Sequence, residues 1–242
     1  MLKSLAIALL PAAILIGFIY WKDKYEKEPT KWIWKGFWYG ILSALASFAI
    51  SMPFQTMGLY TNELLTVGDS IRTAFFGAAI PEEGAKLLLL WLLLRKNPYF
   101  DEYVDGMVYA VCVGMGFAAL ENVGYMLGNY EEWNTVGLMR GLISGPAHFF
   151  FAIAMGYFYS LAQFGDKGRR ITFWLLALAV PVLLHGGFDA LLMASEVGGG
   201  ASACLAFFFA LFFYMARSSK KRFNEHLKRD EQLRDKPEPP TL

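Results

Sequence analysis

Residues 78–96 of the chain read AAIPEEGAKLLLLWLLLRK. The stretch is apolar enough to form part of a membrane-spanning helix, yet it carries Glu82, Glu83 and Lys86. One charged side chain at the middle of a bilayer costs at least about 2.5–3.5 kcal/mol on insertion scales. Three charged residues in one span therefore predict that these residues have a functional role and that polar partners for them lie in other spans.

The composition supports a membrane protein. The 242 residues are 56% hydrophobic and 18% charged, with a net charge of +1, which is more apolar and less charged than a typical soluble domain. The small net charge argues against a nucleic-acid binder, which needs a basic surplus to displace counterions from phosphates. Cys112 and Cys204 lie in apolar runs, so we expect neither a disulfide framework nor a cysteine-type zinc site.

Seven apolar stretches are each long enough to cross about 30 Å of hydrocarbon. They predict an all-α fold, a polytopic bundle of about seven transmembrane helices. The stretches are 2–20, 36–56, 74–94, 104–128, 138–163, 171–193 and 199–216. Since no small-residue cleavage site follows the first stretch, we expect it to be retained as an anchor.

The distribution of positive charge predicts the orientation of the bundle. The connections after spans one to six hold 5, 1, 2, 0, 3 and 0 Lys or Arg, and the tail from Arg217 holds 8. Because positive loops stay in the cytoplasm, the N-terminus is predicted outside and the C-terminus inside. The chain then divides into a transmembrane domain, 1–216, and a cytoplasmic basic tail, 217–242. We expect a solvated tail, with a short basic helix on the inner leaflet before a Pro-rich end as the alternative.

Further ionisable residues lie inside the later spans. They are Glu121, His148, His185 and Asp189. With the predicted topology and a rise of about 1.5 Å per residue, four helices place their polar groups about 10–15 Å below the outer edge of the membrane. Spacings of i, i+4 let Glu82 face Lys86 and let His185 face Asp189. These residues are therefore candidates for one shared site.

Three interpretations of such a site compete. A purely structural network gains little, because interhelical hydrogen bonds in membranes contribute only about 0.6 kcal/mol on average. An ion- or proton-coupled transporter could use acids and histidines as a relay, but the chain shows no repeated halves or paired broken helices. In a hydrolase, the histidines and carboxylates would activate a water, through a divalent metal or by direct general-base action.

Four short motifs, in order on separate predicted helices, carry a family resemblance. They are EEGAK at 82–86, FAALEN at 117–122, PAHFFFAIAMGY at 146–157 and HGGFD at 185–189. Together they resemble the PrsW family of intramembrane proteases, which is related to the CAAX prenyl proteases. The early YEKEP and the stretch YVDGMVYAVCVGMGF also look like that family.

The resemblance implies hydrolysis of a peptide bond in or near a bacterial cell membrane. The best-known members cut a single-span anti-sigma factor on its extracytoplasmic side. Carried over to this chain, the predicted catalytic residues are Glu82, Glu83, Glu121, His148, His185 and Asp189. Lys86 is a predicted supporting residue, as is Asn122, which would either donate to an oxyanion or face another helix.

The resemblance leaves the cofactor open. The family is classed among metalloproteases, and a zinc ion held by His148, His185 and Glu121 fits that class. Water activation by a glutamate and a histidine without a metal is the alternative. A CAAX-type prenyl-protein endopeptidase is the nearest other enzyme, but Glu121 stands where those enzymes look to have a histidine, which favours the PrsW family.

Overall fold

The fold is that of a computed structural model, which describes residues 2–61, 63–197 and 200–235. The described residues form helices and connections, without a strand. The α-helices are α1 (Leu2–Lys22), α2 (Thr30–Thr56), α3 (Val67–Arg72), α4 (Ile80–Leu94), α5 (Tyr103–Gly128), α6 (Trp133–Met139), α7 (Gly145–Phe164), α8 (Arg170–Glu196) and α9 (Ala201–Arg234). The predicted all-α class is therefore confirmed.

Helix α5 is the centre of the bundle. Its middle part, from Met107 to Ala119, is apolar on all sides, and its side chains from Val104 to Ala119 are almost completely buried. A helix without a polar face must be surrounded by other helices or by lipid. The surrounding helices expose large apolar side chains, such as Trp38 on α2 and Phe213 on α9. Such outward apolar surface is what a bilayer-embedded bundle presents to lipid.

Glycine pairs allow α5 to approach its neighbours closely. A Cβ atom on Gly40 of α2 would lie 2.1 Å from the Val113 carbonyl oxygen of α5. Nearer the start of α5, a Cβ atom on Gly156 of α7 would lie 2.3 Å from the Gly106 carbonyl oxygen. Small residues at helix contacts are typical of packing in membranes. These contacts pack α5 closely against both α2 and α7.

Two π-helical segments interrupt the bundle, and each stands just before a proline. Thr73–Ala79 joins α3 to α4 ahead of Pro81, and Arg140–Ser144 joins α6 to α7 ahead of Pro146. A proline inside a helix removes one backbone hydrogen bond and displaces the preceding turn, and a π-bulge is one way to absorb that change. Each of the two prolines is followed within two residues by a predicted site residue.

The number of membrane crossings is established only in part. Five described helices are long and apolar enough to span a membrane: Thr30–Thr56, Tyr103–Gly128, Trp133–Phe164, Lys167–Glu196 and Ser202–Arg234. A shorter apolar helix covers Leu9–Lys22. The helical run from Val67 to Leu94 is long enough but contains the three charges of the EEGAK motif. Seven spans and the orientation of the termini stay predictions.

The predicted boundary at residue 216 falls inside α9, which continues to Arg234 as one helix. Its charged half packs on the bundle rather than ending in solvent. The Asp230 carboxylate accepts hydrogen bonds from the backbone N–H groups of Tyr103 (2.7 Å) and Val104 (3.0 Å), at the start of α5. The His226 ring stacks on Tyr157 of α7, with ring centroids 4.3 Å apart. The Pro-rich end at 236–242 lies outside the described residues.

The connection from α1 to α2 carries a second group of buried acids. Glu28 accepts a hydrogen bond from the Tyr109 hydroxyl group of α5. Asp23 is only 1% exposed, and neither of its carboxylate oxygens has a hydrogen-bond partner among the described residues. Burial raises the pKa of Asp23 from 3.8 to about 6, although the Lys27 ammonium partly offsets that effect. The ionised Asp23 side chain is therefore a cost to the fold.

We expect Asp23→Asn to stabilise the protein at neutral pH. The folded state favours protonated Asp23, so the wild type loses stability as pH rises from about 4 to 6, and the loss is complete above the folded pKa. Asparagine does not ionise, so its variant should have a higher melting temperature than the wild type at pH 7.5 and a similar one at pH 4. Melting curves in detergent at both pH values measure this. Asp235→Asn, at an exposed position, is the control and should change little at either pH.

Candidate active site

Two carboxylates and an ammonium group lie on the first turns of α4. Glu83 is completely buried, whereas Glu82 is partly exposed. The Lys86 Nζ atom lies 2.8 Å from Glu83 Oε1 and 3.3 Å from Glu82 Oε2. Both contacts follow from helical spacing, since residues three and four apart share a face. Lys86 therefore offsets part of the negative charge of both glutamates.

The first histidine of the cluster comes from α8 and meets Glu83. His185 Nδ1 lies 2.9 Å from Glu83 Oε1, and His185 Nε2 lies 3.2 Å from Asp189 Oδ2. The Phe151 ring of α7 stacks on the imidazole, with centroids 4.7 Å apart. Gly186 allows α8 to pack closely against the first π-helical segment, because a Cβ atom at this position would lie 2.5 Å from the Phe75 ring. Both nitrogens of His185 thus face carboxylates.

The second histidine comes from α7 and links the remaining acid to α4. His148 Nε2 lies 2.9 Å from Glu121 Oε2 of α5, and His148 Nδ1 lies 3.2 Å from Lys86 Nζ. Arg140 places its Nη2 atom 2.7 Å from the same Glu121 oxygen. The Arg140 Nε atom also donates to the Asn122 side-chain oxygen at 2.8 Å. Arg140 therefore holds both residues of the FxxxEN motif.

The structure brings all the predicted site residues into one network. Lys86 contacts Glu82, Glu83 and His148, and the rest attach through these. The centroids of the two histidine rings are 5.3 Å apart. Four helices, α4, α5, α7 and α8, contribute to this site cluster. Asn122 enters through Arg140, and its predicted role as an oxyanion donor stays a prediction.

Sequence reasoning missed Arg140 and Phe151. Arg140 is a basic residue inside a predicted span, 138–163, and a buried charge there was a signal that Glu121 or another acid would need a cation. Phe151 lies three residues after His148 in the run HFFF. Which ring of that run meets His185 depends on how α7 and α8 pack, so the sequence offered no signal for it.

Four residues of the site cluster have the geometry of a metal site. One ligand atom from each of Glu82, Glu83, His148 and His185 lies within 4.8 Å of the other three. Glu83 Oε2 is buried and has no hydrogen-bond partner among the described residues. Two histidines with carboxylates are a donor set that suits zinc. The predicted ligand Glu121 is not in this group, because it lies with Arg140 on the far side of His148.

The charges of the site cluster also suit a divalent cation. Its four carboxylates face two fixed cations, Lys86 and Arg140. With both histidines neutral, the cluster has a formal charge of −2, which a divalent cation would balance. A buried cluster with unbalanced charge is costly to desolvate. The residues present therefore fit a metal ion.

A cavity connects the site cluster with the side of the bundle. It has a volume of about 620 Å³ and opens between α2 and α5. Glu82 and Glu121 line it together with mostly apolar residues, including Leu45 and Phe48 of α2. The cavity reaches both carboxylates from the side of the bundle and is large enough to hold water. Carboxylates and histidines beside water can act as general bases, which is the chemistry of a hydrolase.

The chain is similar to known proteins over most of its length. Residues 28–216 match the family described as PrsW family intramembrane metalloprotease. Among curated proteins, Protease PrsW of Clostridioides difficile (strain 630) is 35% identical to this chain, covering 77% of the chain and 78% of the relative. Protease PrsW of Geobacillus kaustophilus (strain HTA426) is 32% identical, covering 82% and 84%. For Protease PrsW of Bacillus subtilis (strain 168) the identity is 28%, covering 80% and 84%. No solved structure matches the chain.

Proposed function

The chain belongs to the PrsW family of intramembrane proteases, and we propose that it cuts a single-span membrane protein of the anti-sigma-factor kind at the site cluster. It is a multi-pass bacterial membrane protein, and its substrates are membrane proteins in a lipid bilayer. The observation that carries the proposal is the meeting of Glu83, His185, His148 and Glu121 in one buried network.

Glu83 is the general base in this proposal. Its Oε1 atom is held by Lys86 and His185, which leaves Oε2 to take a proton from a water. The water oxygen bonds to the carbonyl carbon of the scissile peptide, and the C–N bond then breaks. The proton held by Glu83 passes to the leaving nitrogen, so the products are a new carboxyl group and a new amine.

The other residues orient the side chains around this base and balance its negative charge. Asp189 fixes the His185 ring from one side while Glu83 contacts it from the other. Glu121 orients His148 in the same way, and Lys86 keeps both α4 glutamates partly neutralised. A carboxylate that holds a histidine nitrogen sets the orientation and tautomer of the ring.

Of the four convergent residues, Glu82, His148 and His185 would hold a divalent metal ion, with Glu83 beside it as the base, and Zn²⁺ is the ion we propose. When bound, such an ion polarises the scissile carbonyl and lowers the pKa of a coordinated water. The support is the convergence of the four ligand atoms, together with the charge of the cluster. The alternative, in which the glutamate and histidine act without a metal, predicts an active protein that carries no metal.

The proposed topology has seven spans, with the N-terminus outside, the C-terminus in the cytoplasm, and a protease domain at 1–216. Helix α1 and the run from Val67 to Leu94 add two crossings to the five apolar helices. The three charges of the EEGAK motif in this run are paired with one another inside the bundle, so they are kept from lipid. The family match also ends at residue 216. In this topology the site cluster lies in the outer half of the membrane.

The test is cleavage of defined peptides by the purified full-length protein in bicelles. The panel holds single-span peptides whose scissile bonds lie at different depths, and one farnesylated CAAX peptide. We expect one cut in a single-span peptide, on the extracytoplasmic side of its span, identified by mass spectrometry of the products. The substrate reaches the site cluster through the cavity between α2 and α5, so fully soluble peptides of the same sequence should be cut much more slowly.

Two outcomes of this experiment would overturn the proposal. Cleavage of the farnesylated peptide alone would assign the protein to prenyl-protein processing. If the folded, metal-loaded protein cleaves no peptide of the panel, the proposed peptidase activity is contradicted. A cut only at the cytoplasmic end of single-span peptides would keep the peptidase but contradict the orientation.

A further inference from the structure

A second cleft lies away from the site cluster, between α1, α7 and α9. Its volume is about 490 Å³. The walls are mostly apolar and aromatic, with Phe18 from α1, Phe149 and Phe150 from α7, and Phe223 from α9. Such a cleft is large and apolar enough to accept part of a hydrocarbon chain, but its walls alone do not identify what fills it.

The mouth of the cleft is basic. Lys22 and Lys24 border it at the end of α1, and Lys220 borders it on α9. None of the three forms an ion pair with an acidic side chain within the described part of the chain. The Lys22 ammonium lies over the Trp21 ring, 4.8 Å from its centroid. Three positive charges that have no ion-pair partner among the described residues therefore border one apolar opening.

The mouth also lies at the predicted surface of the membrane. Helix α9 changes from the apolar run LAFFFALFFYM to the charged run beginning at Arg217, and Lys220 is in the first turn after that change. Helix α1 ends at Lys22. Trp21, which is 69% exposed, is the kind of residue that marks the interface between hydrocarbon and headgroups. The cleft thus extends from the headgroup level toward the hydrocarbon.

We propose that this cleft binds one anionic phospholipid, with an acyl chain among the aromatic side chains and the phosphate beside Lys22, Lys24 and Lys220. Charge complementarity selects this occupant, because a zwitterionic lipid offers no net charge to three lysines. Basic pockets between helices at the cytoplasmic side are known to hold anionic headgroups. The proposal does not depend on the proteolytic activity.

The position of the cleft predicts an effect on the bundle. Phe149 follows His148 directly on α7, and α7 forms one wall of the cleft. A lipid chain packed between α1, α7 and α9 would fill space that otherwise separates these helices. Bound lipid should therefore raise the melting temperature of the protein, while the contacts of His148 in the site cluster stay the same.

Native mass spectrometry of the full-length protein tests the proposal. Phosphatidylglycerol and phosphatidylcholine with identical acyl chains are titrated onto delipidated protein in detergent. Because each lysine near an anionic headgroup contributes several-fold in affinity, we expect one phosphatidylglycerol to bind roughly 10–100-fold more tightly than phosphatidylcholine. The triple variant Lys22→Gln, Lys24→Gln, Lys220→Gln should lose that preference.

Two controls separate the cleft from general surface charge. The triple variant Lys96→Gln, Lys167→Gln, Lys228→Gln removes the same charge elsewhere on the exposed surface and should keep wild-type binding. Ala216→Phe narrows the cleft without changing charge and should weaken binding of phosphatidylglycerol. This variant keeps the test valid if the cleft triple variant folds poorly.

Four results would contradict the proposal. The first is equal affinity for the two lipids, and the second is equal loss of binding in both triple variants. The third is displacement of phosphatidylglycerol by millimolar inorganic phosphate, which would indicate a phosphate site rather than a lipid site. Unchanged binding by Ala216→Phe would place the lipid outside the cleft.

Discussion

Replacing Glu83 by Gln should lower the rate of peptide cleavage by about 10²-fold or more. Glutamine keeps the shape of the side chain and can still accept hydrogen bonds from Lys86 and His185 through its amide oxygen. It has no basic oxygen at the position of Oε2, which is the atom we propose takes the proton from water. The chemical step therefore loses its base while the contacts of the α4 turn remain.

The fold should tolerate Glu83→Gln. A neutral amide is cheaper to bury than a carboxylate, and Lys86 keeps Glu82 as a partner at 3.3 Å. We expect the melting temperature in detergent to change by only a few degrees, in either direction. Initial cleavage rates and melting curves of the same preparations measure the two effects separately.

Glu132→Gln is the matched control, because Glu132 is an exposed glutamate outside the site cluster. This variant should cleave at the wild-type rate. Near wild-type cleavage by Glu83→Gln would remove the role of base from Glu83. A large fall in its melting temperature would instead show that Glu83 mainly holds helices together.

Replacing His185 by Ala should remove both activity and bound metal. His185 supplies one of the four convergent ligand atoms and contacts Glu83 and Asp189. Loss of a ligand should weaken metal binding by more than the 10–100-fold that is typical of outer-shell changes. We therefore expect the wild type to carry about one zinc per chain and the variant to carry little, with cleavage reduced by at least about 10²-fold.

His226→Ala is the control for this variant. His226 is the third histidine of the chain and is also buried, but it stacks on Tyr157 and lies outside the site cluster. Its replacement should cost stability without changing the metal content of the folded protein, as measured by elemental mass spectrometry. An active wild type without metal would exclude the metal and favour direct action of the glutamate and histidine. Wild-type metal content in His185→Ala would remove His185 from the ligands.

The helices were largely predictable because apolar runs of sufficient length mark most of them. The predicted span 104–128 differs from α5 by one residue at its start. The end of α9 was not predictable from hydropathy. Residues 217–234 are helical because Phe223, Leu227 and Asp230 are buried against the bundle, and such tertiary contacts do not appear in a local pattern.

Most residues of the site cluster could be predicted, though not Arg140 or Phe151, and of their pairings only those within one helix could. Charged residues inside apolar spans are candidate site residues because burying a charge in a membrane is costly. Helical spacing predicted the pairs Glu82–Lys86 and His185–Asp189, which are present at 3.3 and 3.2 Å. The partner of each histidine in another helix depends on how α4, α5, α7 and α8 pack. Sequence alone therefore could not show that Glu83, rather than Glu121, lies against His185.

Cleavage of one single-span peptide in H₂¹⁸O tests the central claim most directly. If the site cluster hydrolyses the peptide bond, mass spectrometry should find ¹⁸O in the new carboxyl terminus of the product made by the wild type. Under the same conditions Glu83→Gln should make almost none of that product. Product formed without solvent oxygen, or labelled product formed equally fast by Glu83→Gln, would contradict the account.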